Sequence, residues 1–476
     1  MLDNLLPLVQ RPSRYIGGEA NSVIKDHSKV SIRFAIAFPD IYEIGMSHYG
    51  LLLLYNILNS HKEIACERVF TPWVDMADLL RNRTAFSFGK VHRNERLTTL
   101  ESNTPLCDFD IVGISVPHEL ALTNIVELLE LGGITPLAGD RDESLPLVIG
   151  GGSGVFNPEA IADFFDAIVI GDGEEAVIEI SEAYMEWKKR KEPKENLLTL
   201  LAKIEGVYVP SFFKPEYSNN SLVKITPKFD WYSKVKRRIL KDLDISHLPA
   251  NPIIPNTQVV HDRLTVEVMR GCTAGCRFCQ AGMTYRPCRE KEPKALLQQI
   301  VASLQASGFE EVSFLALSAG DYTNLETLTD ALLPLCTREQ IAISLPSLRV
   351  GTLTDQLIDK IHSLRKTGFT LAPEAGSKRL RLVINKKLNE EELLRCARKI
   401  FASGWRTIKL YFMIGLPTET EEDLKEIIRL STAVKSAGNS VSRSHNVTVS
   451  ISSFVPKPHT PFQWEKQISS KEIEER

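Results

Sequence analysis

The sequence has no apolar run long enough to span a bilayer, which argues against a membrane-crossing helix. It has little excess charge. Lys and Arg number 57 against 60 Asp and Glu, a formal net charge of −3, so the chain as a whole makes no electrostatic case for nucleic acid or a membrane surface. An export signal is also missing: the opening MLDNLLPLVQRPSRYIGGE places Asp3 early and no cleavage pattern follows. Cysteine is sparse, eight in 476 residues. In a chain kept in the cytoplasm these are reduced thiols, available for metal or simply buried. What remains is an ordinary globular composition, 43% hydrophobic and 25% charged, of a length that suits two to three domains.

Apolar runs alternate with amphipathic stretches. SIRFAIAF (31–38), FDIVGISV (109–116), LPLVIGGG (145–152) and DAIVIGDG (166–173) read as strands, with helices over 46–58, after 116 and over EEAVIEISEAYMEWKKR. Strands alternating with helices imply a parallel, doubly wound sheet, and runs with little polar alternation fit strands covered on both faces. A Pro- and Lys-rich stretch without clear period follows at 207–262. The basic run KKRKEPK (188–194) reads as a solvated helix end. From 263 the alternation resumes. RLTVEVMR (263–270), EVSFLALS (311–318), IAISLPSLR (341–349), GFTLAPE (368–374), TIKLYFMIG (407–415) and NVTVSISSF (446–454) predict six strands of a partial barrel with its chemistry at the strand C-termini. The expected organisation is an N-terminal Rossmann-like domain over 1–205, a connecting region over 206–257 and a (β/α)6 core over 258–476.

The sharpest signal is Gly271-Cys272-Thr-Ala-Gly-Cys276-Arg-Phe-Cys279, a C-x3-C-x2-C spacing just after the first barrel strand. A short loop with two glycines can wrap three thiolates round one compact iron–sulfur cluster, and three ligands for four irons leave one iron open to a small molecule. The competing reading is a zinc site completed by an outside histidine, although structural zinc prefers four protein ligands. Cys288 lies nearby as a loop thiol or a fourth ligand. Cys66, Cys107, Cys336 and Cys396 sit in or beside apolar runs and read as core.

With Phe278 as the aromatic before the last cysteine, this motif resembles the radical S-adenosylmethionine (SAM) superfamily. The resemblance implies a [4Fe-4S] cluster on Cys272, Cys276 and Cys279, reductive cleavage of SAM to a 5′-deoxyadenosyl radical, and a one-electron reductant of flavodoxin or ferredoxin type. Further positions match in chain order. LSAGDY (317–322) stands where the family contacts the SAM amino group, nominating Asp321, shorter than the usual Glu. PSLRVG (346–351) offers Arg349 to the SAM carboxylate. LAPEAGS (371–377) nominates Glu374 and Ser377 for ribose and carboxylate, and MIGLPTET (413–420) resembles the adenine-side loop. For each the plain alternative is a turn, a rim ion pair or a helix cap, with Thr418 as the expected cap.

The first half resembles the cobalamin-binding domain that precedes many radical SAM cores, through FPDIYEIGMSHYG (38–50), GISVPHE (113–119), IGGGSGVFNPE (149–159) and IGDGEE (170–175). Together the two halves resemble the bacterial family of B12-binding-domain radical SAM proteins as far as TPFQW (460–464). One motif departs. The D-x-H-x-x-G that gives cobalt a histidine is absent, and His48 and His118 read as turn residues. Cobalamin is then either bound without a histidine or lost. FVPKPHTPFQW (454–464) resembles the segment that closes the barrel, with Lys457 and His459 near the substrate mouth. Family members usually continue past this sequence, which implies a shorter form or a separate C-terminal partner domain. The function expected is a radical SAM enzyme, cobalamin-assisted in methyl transfer or rearrangement. The alternatives are an RNA- or protein-modifying methylthiolation-like enzyme, for which no basic recognition domain stands out, and a non-catalytic metal or cobalamin carrier.

Overall fold

A computed structural model describes residues 4–81, 96–219, 221–245, 249–346, 348–352, 358, 369–439 and 445–476. The chain divides into two compact units. The first is Met1–Lys241 with Ser246–Asp262, and the second is Asp242–Ile245 with Arg263–Arg476. The stretch expected to connect two domains therefore belongs almost wholly to the first unit. Among the described residues no helix is long and apolar enough to cross a membrane.

The first unit is built on six strands: β1 (Ile32–Phe38), β2 (Ile64–Phe70), β3 (Ile111–Ser115), β4 (Leu147–Gly151), β5 (Ala167–Val169) and β6 (Val207–Tyr208). Their order is β2-β1-β3-β4-β5-β6, parallel throughout except where β6 runs antiparallel to β5. The chain moves outward from β1 to β2 and then returns to the far side of β1 for β3. Between β1 and β3 the loops leave in opposite directions, and such a switch point opens a crevice beyond the strand C-termini. β1 and β2 are buried along nearly their whole length, as strands covered on both faces must be. At Gly152, φ is +109° and a Cβ would stand 2.7 Å from the Val116 carbonyl oxygen, so only glycine lets the loops after β3 and β4 approach this closely.

β2 was not among the expected strands, and IACERVF carries Glu67 and Arg68 in mid-strand. The structure neutralises them where they lie. Arg68 is fully buried, donating to Glu101 at 2.7 Å and to Glu19 at 2.9 Å with its guanidinium over the Tyr55 ring. Glu67 accepts from Ser102 at 2.6 Å and pairs with His27 at 2.6 Å. The unit also carries a hairpin of β7 (Phe213–Ser218) and β8 (Ser221–Pro227).

The second unit contains β9 (Leu264–Glu267), a two-residue pairing of β10 (Met269–Arg270) with β11 (Arg289–Glu290), then β12 (Glu311–Leu315), β13 (Ala342–Ser344), β14 (Phe369–Glu374), β15 (Thr407–Ile414) and β16 (Asn446–Ser453). The six predicted barrel strands are present, and they pair in two parallel groups, β13-β12-β9 and β14-β15-β16. Helices Pro293–Ser307, Leu325–Glu339, Glu390–Ala402 and Glu421–Asn439 make the crossovers that parallel strands require. Helix Glu390–Ala402 shows the pattern. Leu393, Cys396, Ala397, Ile400 and Phe401 recur at helical spacing and are buried, and Asn389 caps the start by accepting from the Glu391 N–H at 2.9 Å. Ser347 of PSLRVG and Gly368 at the head of GFTLAPE lie outside the described residues. Cys66, Cys107, Cys336 and Cys396 are buried, as expected of core thiols.

Arg68 supplies a test of the first unit. Arg68→Met would leave Glu19 and Glu101 buried without their cation, at a cost of roughly 3–5 kcal/mol. Chemical denaturation should show that loss, and an unchanged midpoint would contradict it.

Candidate active site

The three cysteines leave the strand end on a loop held from two sides. Gly271 has φ +99°, and a Cβ there would stand 2.7 Å from the Tyr285 carbonyl oxygen and 2.8 Å from that of Pro287. The 285–288 backbone thus closes over the start of the loop, and only glycine fits beneath it. On the other side, the Asn385 side-chain amide donates to the Gly275 carbonyl at 2.8 Å and the Arg277 N–H to that of Ile384 at 3.0 Å. Cys272, Cys276 and Cys279 are free, partly exposed thiols. Backbone N–H groups of Ala274 and Gly282 point at the sulfurs of Cys272 and Cys279 at 3.5 and 3.4 Å, an arrangement that stabilises thiolate. Burial pushes the Cys276 thiol up, and the nearby Lys386 ammonium opposes that. Among the described residues no three His, Cys, Asp or Glu side chains, these cysteines included, are gathered closely enough to hold a metal ion. The donor set nevertheless fits an iron–sulfur cluster: three thiols on one glycine-hinged loop, with N–H groups directed at two of them.

Cys288 is brought back beside this loop by the β10–β11 pairing. Burial raises its thiol pKa, as do the negative groups nearest it, Glu290, Cys272 and Asp321. It is partly exposed.

Next to the loop a cavity of about 280 Å³ is lined by Asp321, Arg349, Thr352, Ala372, Lys386 and Lys387, among others. Two of the residues nominated for SAM meet here directly. Arg349 Nη1 donates to Asp321 Oδ2 at 3.0 Å, with both side chains partly exposed. Asp321 follows β12 on a short 3-10 turn and Arg349 follows β13, so two neighbouring strand ends deliver the pair. Glu374 is connected to the cavity through Lys386, 3.4 Å away. It ends β14 with φ +68°, where the β14–β15 register shifts, and a non-glycine residue in that region is held by its surroundings. Burial raises the Glu374 carboxyl pKa, against the pull of Lys386.

Ser377 is placed differently. Its hydroxyl accepts the Leu380 N–H at 3.0 Å as the cap of helix Lys378–Val383 and donates to Asp423, and it is not among the residues lining the cavity. Asp423 gathers the whole turn, accepting from Ser377, Arg379 and both the N–H and hydroxyl of Thr420. Burial works against its ionisation, but those donors win and hold its pKa down at about 2. The cap of helix Glu421–Asn439 is therefore made by Thr420 and Asp423, not by Thr418, which lies in the left-handed region at φ +66°. Thr420-x-x-Asp423 is a legible capping signature. Lys386 carried no such signal; its position between Cys276, Glu374 and the cavity is set by the fold alone.

In the first unit, His48 Nδ1 accepts the Leu51 N–H at 3.1 Å and caps helix Tyr49–Ser60, while its ring packs on Phe38 with centroids 4.9 Å apart. Burial pushes its pKa down to about 4. His118 is exposed. Both are the turn residues expected. Four apolar side chains follow the C-terminal ends of β1, β2 and β3 and remain open to solvent: Ile44, Trp73, Val74 and Leu120, the last 87% exposed. Lys457 is half-buried and His459 exposed, its backbone N–H donating to Gln463 at 3.1 Å.

A model of the radical SAM superfamily matches residues 266–431, and a model of the N-terminal region of radical SAM proteins matches residues 50–210. The chain belongs to the radical SAM superfamily. It is therefore an enzyme whose cofactors are a [4Fe-4S] cluster and SAM, and enzymes of this class require a reductant. That sets aside the non-catalytic reading. The chain is 27% identical over 438 residues to an uncharacterized protein of Methanocaldococcus jannaschii, covering 92% of this chain and 80% of that protein. It is 30% identical over 174 residues to the tRNA-2-methylthio-N(6)-dimethylallyladenosine synthase of Oceanobacillus iheyensis, 35% of this chain and only 33% of that enzyme. Among solved structures, it is similar in fold to the radical SAM methyltransferase TsrM of Kitasatospora setae, with cobalamin and [4Fe-4S] bound, at TM-score 0.59, 14% identity, 92% of this chain and 78% of that one. It is also similar to the cobalamin-dependent radical SAM enzyme OxsB, at TM-score 0.56, 14% identity, 90% of this chain and 60% of that one.

Two titrations test the geometry. Neutral His48 is favoured by folding, so the unfolded chain binds more protons between its ordinary 6.5 and about 4, and stability falls as pH drops through that window. His48→Asn keeps a good cap and should flatten that slope in denaturation curves; an unchanged slope contradicts the assignment. Ionised Asp423 contributes stability that is present above its ordinary 3.8 and lost as pH falls towards about 2. Asp423→Asn should remove that dependence while costing about 1–3 kcal/mol at neutral pH, read from the denaturation midpoint.

Proposed function

We propose that the chain is a cobalamin-assisted radical SAM enzyme in which Cys272, Cys276 and Cys279 hold the cluster and the Asp321–Arg349 cavity receives the amino-acid end of SAM. The pairing of Asp321 with Arg349 beside the cysteine loop carries this reading. SAM presents an ammonium and a carboxylate on one carbon. Asp321 accepts from the first and Arg349 donates to the second, so one partly exposed ion pair is exchanged for two matched ones. Glu374, steered by Lys386, can accept hydrogen bonds from ribose hydroxyls. Cys272, Cys276 and Cys279 would hold the cluster, which with SAM bound and one electron supplied would provide the radical chemistry of the family. The residues of this chain orient the amino-acid end and hold the loop in place; Ser377 supports the adjacent turn rather than SAM.

Cobalamin is assigned to the first unit. Its sheet has a switch point between β1 and β3, and Ile44, Trp73, Val74 and Leu120 offer apolar surface at the same strand ends to a flat, largely apolar ring. TsrM and OxsB, which share the fold, hold cobalamin. With His48 Nδ1 spent on a helix cap, the reading gives cobalt no histidine from that loop. Methyl transfer to an unidentified substrate is the reaction it favours. A second reading, RNA modification of the methylthiolating kind, is supported by the match of part of the chain to the tRNA synthase above.

Anaerobically reconstituted protein should hold about four irons per chain and bind cobalamin. With SAM and dithionite it should form 5′-deoxyadenosine or a methylated product. Each of Cys272→Ala, Cys276→Ala and Cys279→Ala should abolish SAM turnover, and one variant that retained it would sink the cluster assignment. Arg349→Ala should leave iron content unchanged and weaken SAM binding by about 2 kcal/mol, measured as Kd.

A further inference from the structure

Residues 213–241 carry eight Lys and Arg against two Asp and Glu, a local charge of +6 in a chain whose net charge is −3. Part of that charge is internal. Arg238 is tied to Glu175 and Glu179, and Lys236 to Glu205 at 2.9 Å. Lys214, Lys224, Lys228 and Lys234 are different: they are exposed and make no ion pair among the described residues. In the earlier basic run, 188–194, three of the five cations are paired, Lys188 with Asp110, Arg190 with Glu186 and Lys194 with Asp166, and the exposed Lys189 and Lys191 have no exposed aromatic pair beside them.

The lysines are interleaved with exposed rings. Tyr217 lies on β7, paired with Leu222 of β8. Phe229 and Trp231 stand at the foot of the hairpin, stacked with centroids 5.7 Å apart and planes inclined at 29°; Trp231 is 54% exposed. These rings are not loose. Phe229 packs edge-on against Phe212 and Trp231 leans on Tyr232, whose hydroxyl accepts the Val209 N–H and donates to the Val207 carbonyl at 2.6 Å. The platform is thus fastened to β6. Lysines on an exposed hairpin have a bland use, which is to keep a bare strand edge from pairing with another chain. That use accounts for Lys214 and Lys224. It does not account for a pre-ordered, exposed aromatic pair beside Lys228 and Lys234, outside the strands.

We infer that the β7–β8 hairpin with Phe229 and Trp231 is a docking surface for RNA with unpaired bases. Unpaired cations at intervals track phosphates, and fixed ring faces stack on bases whatever their identity. A protein partner is the poorer fit, since lysine is depleted where proteins meet. The inference concerns binding alone and stands whether or not the radical chemistry is as proposed above.

The test is fluorescence anisotropy of the full chain with a labelled, unstructured RNA of about 16 nucleotides, within the site size of such surfaces. Binding should weaken steeply with salt. The triple variant Lys214→Glu, Lys224→Glu, Lys228→Glu should raise Kd more than tenfold and reduce the salt slope by about 2, at ~0.7 for each single-strand phosphate contact. Trp231→Ala should raise Kd at least about fivefold with the slope unchanged, the lower end expected for one stacked base. All four side chains are exposed, and matching melting curves confirm that the variants fold. Wild-type affinity in both variants would overturn the inference. So would poly-glutamate competing as well as unlabelled RNA, which would assign the surface to an acidic protein.

Discussion

Three thiols can serve one cluster only if the loop that carries them is held against a fixed floor, and the rest of the site depends on that constraint. The floor is the turn after helix Lys378–Val383, where Asn385 and Ile384 bind the loop backbone at Gly275 and Arg277. The same turn carries Lys386 to the cavity wall and to Glu374. Cysteine loop, cavity and the end of β14 are therefore registered against one another by three consecutive residues, Ile384, Asn385 and Lys386. Ser377 and Asp423 fix the start of that helix, so the dense hydrogen bonding round Asp423 positions the floor from behind rather than touching a ligand.

The first unit meets a different constraint. A sheet covered on both faces has to bury whatever its strands carry, and β2 carries Glu67 and Arg68. Unpaired, either charge would be far more costly than the strand could repay. Glu19, Glu101, His27 and Ser102 converge on them, which ties the N-terminal segment and the stretch around 99–102 to the sheet. The sheet's C-terminal edge is left comparatively simple, with apolar side chains after three consecutive strands and glycine where two loops nearly touch.

Much of this was legible in the sequence. Apolar runs marked β1, β3, β4 and β5, whose burial is nearly continuous, and apolar runs marked the barrel strands too, although β14 and β15 alternate in burial and β16 has no buried residue. The cysteine motif marked its own loop, since no common structural element needs thiols at that spacing. Chain order placed Asp321 and Arg349 after successive strands, and the structure adds that they touch each other. What stayed hidden depends on contacts between distant segments. β2 went unmarked: it carries Glu67 and Arg68, and the counter-charges of Arg68 lie 33 and 49 positions away. A helix cap and a binding hydroxyl use the same residue type, and the sequence does not show that Ser377 caps helix Lys378–Val383 and bonds Asp423. Lys386 sits in an ordinary polar run. The stretch at 207–262 was legible as Lys-rich, but which of its lysines are paired was not, because the partners Glu175, Glu179 and Glu205 of Arg238 and Lys236 lie far back in the chain or outside the run.

The central claim is that the cysteine loop and the Asp321–Arg349 cavity form one site, so that what binds in the cavity is felt at the cluster. The direct measurement is the electron paramagnetic resonance spectrum of the reconstituted, dithionite-reduced protein with and without SAM. The account predicts a reduced [4Fe-4S] signal that SAM perturbs in the native chain and perturbs only weakly in Arg349→Ala. A cluster signal unmoved by saturating SAM would contradict it.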